Sequence, residues 1–229
     1  VIEGEMEAYL QEAYQKRLAS RLVAIKEQKN SHIMKKIEKT LDEKEFKAVG
    51  VFIDWIQKRH IDETDKILDI GCGGGKNLER FAKQIGKDGC VVGIDYSEVS
   101  VEKSTDLNKQ AIDDGKVKVL QGSVSEMPFE DESFDIVTGF ETIYFWPDFI
   151  NDLKEVNRVL KKDGLVFFCN EAVYREGKMD KYEDLIELLD MKIYSEDVLK
   201  SALEKAGFKD FKAFIQDENE WICVTARKA

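Results

Sequence analysis

Residues 66–77 read Lys66-Ile67-Leu68-Asp69-Ile70-Gly71-Cys72-Gly73-Gly74-Gly75-Lys76-Asn77. A short apolar run ends, turns through glycines and passes into a helical pattern, which predicts a strand, a tight turn and a helix N-terminus. Glycines let the backbone approach a ligand closely because they have no Cβ, and the N–H groups that open a helix bind anionic groups. Several classes of α/β protein hold nucleotide-like ligands in this way. The stretch therefore predicts a ligand site but leaves the ligand open.

The composition is that of a globular protein that acts on small molecules. The 229 residues carry a formal net charge of −11, and the basic residues alternate with acids instead of clustering. Because nucleic-acid binding depends on clustered Lys and Arg, we expect a small-molecule substrate and no nucleic-acid partner. No apolar run reaches the roughly 18 residues of a membrane helix. The N-terminus also lacks the basic-then-apolar pattern of a signal peptide, so we expect no membrane partner and a cytoplasmic location.

Histidine and cysteine usage argues against metal chemistry. Only His32 and His60 are present, and the four cysteines show no C-x-x-C spacing. We therefore predict no metal site and no Ser-His-Asp triad. The cysteines lie in or beside apolar runs, which favours small buried side chains in a reducing compartment.

The N-terminal part of the chain has a helical pattern. Apolar residues recur every three or four positions over residues 6–43, and a further helix is predicted over 44–59. We divide the chain into a helical cap, residues 1–46, and a main domain, residues 47–229. The cap is either a lid over the ligand site, a packing appendage or an oligomer contact.

Strands and helices alternate from residue 66 onward. Predicted helices cover 76–86, 98–114, 148–161 and 195–206, and predicted strands cover 66–70, 90–95, 117–121, 134–139, 164–170, 208–215 and 220–226. Such alternation predicts an α/β fold, a three-layer Rossmann-like doubly wound sheet of seven mostly parallel strands. Only residues 216–219 separate the last two strands, so these form a C-terminal antiparallel hairpin.

Residues 171–194 form an insert relative to this alternation. They follow the fifth strand at the edge where open α/β sheets bind ligands, and a helix is predicted from Asp180 to Leu189. The insert is therefore a candidate substrate wall.

The glycine-rich stretch differs from a dinucleotide fingerprint, because Lys76 occupies the position of the third glycine. The G-x-G-x-G form after Asp69 instead resembles the class I S-adenosylmethionine-dependent methyltransferases, in particular the small-molecule type with a methyltransferase domain 11/25. The resemblance continues in the same order through four later blocks, residues 93–97, 121–124, 127–137 and 152–164.

The resemblance implies a cofactor, S-adenosyl-L-methionine, and S-adenosyl-L-homocysteine as its product. Gly71 and Gly73 would line the methionine part, and Asp69 would position its ammonium group. Asp95 would bind the ribose hydroxyls, and Tyr96 would lie against the adenine.

One cofactor contact departs from the family pattern. The family often has an acid at the position of Ser123, where it contacts the adenine amino group. Either the Ser123 hydroxyl or the Val124 backbone takes its place here.

The segment after the fourth strand is where the resembled family brings cofactor and acceptor together. We select Glu141 and Tyr144 as candidate catalytic residues, Glu141 as an acid/base or a cation contact and Tyr144, with Trp146, as a pocket wall. Glu171 and Tyr174 follow the fifth strand at the same edge and are weaker candidates.

The sequence thus predicts an enzyme that transfers a methyl group to a small-molecule acceptor by in-line displacement. One alternative is a catalytically silent module that binds the cofactor for regulation or assembly. The other is a nicotinamide-dependent oxidoreductase, which Lys76 and the terminal hairpin disfavour. The acceptor, its reacting atom, the need for a general base and the oligomeric state stay open.

Overall fold

A computed structural model describes residues 61–216 and 221–229. The predicted N-terminal helices and the 1–46 cap lie outside these residues. The described residues include one seven-stranded sheet, in the order β3-β2-β1-β4-β5-β7-β6. Its strands are β1 (Lys66–Ile70), β2 (Cys90–Asp95), β3 (Val117–Gln121), β4 (Phe134–Phe140), β5 (Leu160–Asn170), β6 (Phe208–Gln216) and β7 (Trp221–Lys228). The first five strands pair in parallel, and β7 runs antiparallel to both β5 and β6, which confirms the predicted fold.

Helices cover the sheet on both faces. They are α1 (Lys76–Ala82), α2 (Glu98–Leu107), α3 (Lys109–Asp113), α4 (Phe149–Val159), α5 (Glu183–Leu189) and α6 (Glu196–Lys205). One apolar cluster joins Leu68, Val137 and Phe168 to α4 and α6. A second joins Ile67 and Phe167 to α1 and lies on the opposite face, because successive side chains of a strand alternate.

Several predicted boundaries were wrong. The helix predicted over 76–86 ends at Ala82, and the one predicted over 98–114 is two helices that meet at Asn108. The Asn108 amide donates to the carbonyls of Gly75 and Ser104, at 3.0 and 2.9 Å, so the break holds the glycine turn against α2. Tertiary contacts of this kind are absent from a periodicity pattern.

The fifth strand and the insert also differ from the prediction. β5 begins at Leu160, directly after α4, because Leu160 already pairs with Phe134 of β4. The helix expected from Asp180 starts as a 3-10 turn, Asp180–Tyr182, and becomes α-helical only at Glu183.

The strand order creates a topological switch between β1 and β4. The chain runs from β1 outward to β2 and β3, then returns to form β4 on the other side of β1. Ligands of open α/β sheets bind outside the carboxyl ends of the strands at such a point. Within the described residues, no helix is long and apolar enough to cross a membrane.

Candidate functional site

The glycine turn after β1 is fixed by its neighbours. The N–H groups of Gly71 and Cys72 both donate to the Ile94 carbonyl at the end of β2, at 2.8 and 3.0 Å. Gly71 has a φ of +68°, and a Cβ on it would lie 2.3 Å from the Thr142 hydroxyl oxygen. Only glycine allows both the left-handed backbone and this approach. The turn after β1 therefore packs directly against the segment after β4.

Gly73 and Gly74 have different surroundings. No heavy atom of the described residues lies within 4 Å of a Cβ built on either residue, and Gly73 has a φ of +52°. Their backbone thus borders open space, whereas Gly71 borders Thr142. This difference marks the side of the turn from which a ligand reaches the backbone.

Asp95 lies beside this open space. Its buried carboxylate accepts hydrogen bonds from the N–H of Gly73 and from the N–H of Ser97, both at 2.9 Å. A carboxylate has about four acceptor positions, so two remain for hydroxyl groups of a ligand. Asp95 therefore both shapes the turn and presents an acceptor beside Gly73.

Asp69, the fourth residue of β1, is a buried acid with a neutral partner. Its side chain is only 1% exposed, and the Thr138 hydroxyl donates to it at 2.7 Å. Burial raises the pKa of Asp69 to about 7, and the negative charge of Asp95 adds to the rise, while the hydrogen bond from Thr138 opposes it. A cationic group beside Asp69 would favour its ionised form and lower the pKa again.

The predicted adenine contacts follow β2 and β3. The Asp95 carbonyl accepts from the N–H of Gly122 at 3.0 Å, which sets the start of the segment that contains Ser123 and Val124. The Ser123 hydroxyl accepts from the N–H of Ser125 at 3.2 Å, so its own proton remains available for donation. Val124 is buried and offers only its backbone.

Tyr96 lies at the outer edge of this region, with its side chain 44% exposed. Its carbonyl accepts from the Gln121 amide at 3.1 Å, so the backbone of Tyr96 is joined to the end of β3.

Glu141 connects the ends of β4 and β5. Its N–H donates to the Cys169 carbonyl at 3.0 Å, and its carboxylate accepts from the N–H of Glu171 at 2.5 Å. Its φ is +54°, which is uncommon outside glycine and is found where surrounding contacts over-determine the backbone, often at functional sites. The structure thus brings Glu141 and Glu171 together at the carboxyl edge of the sheet.

Tyr144 is buried, and its hydroxyl is hydrogen-bonded to the backbone of a single residue, Ala172. Its hydroxyl accepts from the N–H of Ala172 at 2.8 Å and donates to the Ala172 carbonyl at 3.3 Å. Burial raises the pKa of Tyr144 well above its usual value, and the charge of Glu141 adds to this effect. The neutral phenol therefore fastens the start of the 171–194 insert to the segment after β4.

The other aromatic candidates divide between core and surface. Trp146 is buried, and its ring packs against Phe149 and Phe168. The structure thus places in the core a residue that was expected to line a pocket. Tyr174 is exposed at the start of the insert, and its N–H donates to the Tyr194 carbonyl at 3.0 Å.

Asn170 was missed by sequence reasoning. It is the last residue of β5 and is 1% exposed, yet neither polar atom of its side chain has a hydrogen-bond partner among the described residues. A buried polar group without a partner is rare and calls for a ligand, a water molecule or another explanation. The available signal was a polar residue ending an apolar strand at the ligand edge, the pattern also seen at Asp95.

No metal site is visible in the part of the chain that the structure describes. No group of three or more His, Cys, Asp or Glu side chains is placed to hold an ion there. All four cysteines are free thiols, and three of them are buried.

Comparison with known proteins agrees with this geometry. The Methyltransferase domain family matches residues 68–168, which include the glycine turn, Asp95 and Glu141. A demethylmenaquinone methyltransferase of Staphylococcus aureus (strain MRSA252) is 41% identical over 105 residues, or 44% of this chain and 41% of that protein. A sterol 24-C-methyltransferase of Kluyveromyces lactis is 31% identical over 179 residues, or 71% of this chain and 44% of that protein. The chain thus spans less than half the length of these relatives.

A solved structure has the same fold. The geranyl diphosphate C-methyltransferase from Streptomyces coelicolor A3(2), in complex with S-adenosyl-L-homocysteine, superposes with a TM-score of 0.69. The match is 13% identical and covers 79% of this chain and 76% of that one. This likeness shows the fold alone. The matched domain and the two methyltransferase relatives support the assignment of the chain to the class I S-adenosylmethionine-dependent methyltransferases.

The cofactor of this class is S-adenosylmethionine, and the residues present fit it. Gly73 and Gly74 leave open space over their backbone, and Asp95 has acceptor positions to spare beside them. Asp69 is a buried acid, and the Thr138 hydroxyl that donates to it is neutral, which suits the arrival of an ammonium group.

Proposed function

We propose that this protein transfers a methyl group from S-adenosylmethionine to a small-molecule acceptor held between the segment after β4 and the end of β5. The observation that carries the proposal is the hydrogen bond from Gly73 to Asp95, because it holds the acid that we propose to bind the ribose beside glycine backbone that borders open space. The names of the similar proteins support a small acceptor, since they act on demethylmenaquinone, a sterol and geranyl diphosphate.

The cofactor side of the proposed site divides into three contacts. Asp95 accepts hydrogen bonds from the ribose hydroxyls, and Asp69 attracts the ammonium group of the methionine part. The remaining contacts are backbone at Gly71 and Gly73, and adenine contacts at Tyr96, Ser123 and Val124.

Methyl transfer requires little of the protein beyond aligning the acceptor atom with the methyl group. S-adenosylmethionine supplies a methyl group already activated on a sulfonium, so the rate depends on bringing the acceptor atom into line and excluding water. Glu141, at the junction of β4 and β5, takes a proton from an acceptor that must lose one, or contacts a cationic acceptor. Tyr144 acts by position, because its hydroxyl holds the Ala172 backbone.

Asn170 supplies a further acceptor contact. Its buried amide offers two acceptor and two donor positions, and the described residues fill none of them. A hydroxyl or carbonyl of the acceptor, directly or through water, would satisfy this amide.

The first experiment is calorimetric titration of the wild-type protein with S-adenosylhomocysteine. Binding is expected, and a complete absence of binding would refute the proposal. Tight binding without turnover over a panel of quinone, sterol and prenyl acceptors would instead favour a silent cofactor-binding module.

The second experiment changes Glu141→Gln. Turnover of the acceptor should fall by about 10²–10⁴-fold if the carboxylate takes a proton, since that is the usual worth of acid/base catalysis. Affinity for S-adenosylhomocysteine should stay unchanged, as should the kinetics of the control Glu204→Gln, an exposed acid of α6. Unaltered kinetics of Glu141→Gln would remove the residue from the reaction.

The predicted division at residue 46, the substrate role of the 171–194 insert and a cytoplasmic location remain part of this proposal. The cytoplasmic location is supported by cysteines that form no disulfide. The insert is supported by its attachment through Ala172 to Tyr144.

A further inference from the structure

The segment after β3 is held mainly by a helix. We call residues 122–127, which include Ser123 and Val124, the cofactor loop. Glu155 of α4 accepts from the N–H of Met127 at 2.8 Å, and Arg158 donates to the carbonyls of Met127 and Phe129 at 3.2 and 2.7 Å. The far end of the cofactor loop is therefore attached to α4, the helix that follows the segment after β4.

One carboxylate of α4 contacts both sides of the site. We call residues 141–147 the acceptor loop; it ends where Asp148 caps α4. Asp152 is 1% exposed, and its Oδ1 accepts from the Ser125 hydroxyl of the cofactor loop at 2.7 Å. Its Oδ2 accepts from the N–H of Asp148 at 2.9 Å, at the end of the acceptor loop.

Helix capping alone does not account for Asp152. The side chain of Asp148 already caps α4, because it accepts from the N–H of Asn151 at 3.3 Å. Burial also raises the pKa of Asp152, so keeping it ionised there costs free energy. Both of its partners are donors, and only an ionised carboxylate accepts from both at once. A neutral amide has one acceptor oxygen, so at least one of the two donors would lose the acceptor that it has now.

We propose that Asp152 is a positioning residue that links the cofactor loop to the acceptor loop, so that cofactor binding orders the acceptor side. The inference rests on the proposed function, because it takes Ser123 and Val124 as cofactor contacts. Through the Ser125 hydroxyl, the adenine contacts are set in place by the same carboxylate that fixes where the acceptor loop ends.

A double-mutant cycle on Asp152→Asn and Ser125→Ala tests the link. Each single change should weaken S-adenosylhomocysteine binding by about 3- to 10-fold in calorimetry, the scale of one lost hydrogen bond. The double variant should bind no more weakly than Asp152→Asn, because both changes break the same contact. Wild-type affinity in both single variants, or fully additive losses, would overturn the proposal.

The matched control is Asp148→Ala, which removes the cap of the same helix without touching Ser125. It should lower the melting temperature while leaving S-adenosylhomocysteine affinity as in the wild type. An equal loss of affinity in Asp148→Ala would mean that a loosened helix, and not the link, explains the effect of Asp152→Asn, and the proposal would be wrong.

Hydrogen exchange followed by mass spectrometry supplies a readout that is independent of turnover. In the wild type, S-adenosylhomocysteine should protect both residues 122–127 and residues 141–147. In Ser125→Ala, at saturating ligand, protection should remain over 122–127 and fall over 141–147. Equal protection of 141–147 in both proteins would refute the link but leave the proposed function intact, whereas a wild type that binds no ligand would refute the proposed function itself.

Discussion

The cofactor side and the acceptor side of the site are built in different ways. On the cofactor side, Gly73 and Asp95 present backbone and carboxylate to open space. On the acceptor side, Tyr144 and Glu141 are hydrogen-bonded to backbone about 30 residues away, at Ala172 and Glu171. The first side therefore leaves acceptor positions for a ligand, while on the second side the same groups already bind the backbone that follows β5. Changes at the two sides should separate cofactor affinity from acceptor handling.

The largest expected effect is a pH dependence that arises at Asp69. Its pKa of about 7 in the folded chain lies above the usual value of 3.8, so between these values the folded state holds a proton that the unfolded state has released. The contribution of Asp69 to stability without ligand should therefore be greatest below about pH 4, fall as pH rises and level off above about pH 7. The span of the shift corresponds to as much as about 4 kcal/mol in the free energy of unfolding.

Urea unfolding of the wild type and Asp69→Asn between pH 4 and pH 8 measures this effect. The free energy of unfolding of the variant should not fall in this way as pH rises, because an amide does not titrate. S-adenosylhomocysteine binding by the wild type should release protons near pH 6, where the arriving ammonium group favours the ionised carboxylate. Parallel stability curves for the two proteins would show that Asp69 is ionised throughout.

The next largest effect is expected at the contact between the two sides. Gly71→Ala puts a Cβ at the Thr142 hydroxyl and strains a left-handed backbone, which should cost roughly 2–4 kcal/mol in the free energy of unfolding. Gly73→Ala has a similar φ but open space around it, so roughly 1 kcal/mol is expected.

Cofactor affinity should single out Gly73→Ala. Its new methyl group enters the space assigned to the ligand, so S-adenosylhomocysteine should bind more weakly although the fold is nearly as stable. Equal stability of the two alanine variants in thermal unfolding would contradict the packing difference between the two glycines.

The smallest effect is expected for Tyr144→Phe. Loss of the hydroxyl leaves the buried N–H of Ala172 without its acceptor, which should destabilise the protein by about 1–2 kcal/mol. S-adenosylhomocysteine affinity should not change, and the KM for an acceptor should rise because the insert is less firmly held. A drop in cofactor affinity as large as that of Gly73→Ala would end the distinction between the two sides.

The sheet and the cofactor side were largely predictable from the sequence. Each strand, turn and helix start depends on residues a few positions apart, so the pattern around Gly71 and the acid that ends β2 identified them directly. Helix ends were less predictable, as at Asn108, where a contact with the glycine turn breaks the helix.

The acceptor side was harder to predict from the sequence. Trp146 was expected at a pocket and lies in the core, because hydrophobic spacing does not say which face of a short segment is covered. Asn170 went unnoticed because what distinguishes it is a buried amide with no hydrogen-bond partner among the described residues, which only a folded structure reveals.

The sequence by itself therefore determined the fold class, because local strand-turn-helix patterns specify it. Its ordered motifs resemble the methyltransferase family, and that resemblance implied the cofactor. The tertiary structure alone decided that Tyr144 closes on Ala172, that Glu141 joins β4 to β5 and that Asp152 connects two loops. The physical reason is distance along the chain. Each of these contacts joins residues 27 to 30 positions apart, and their geometry exists only once the sheet and helices have packed.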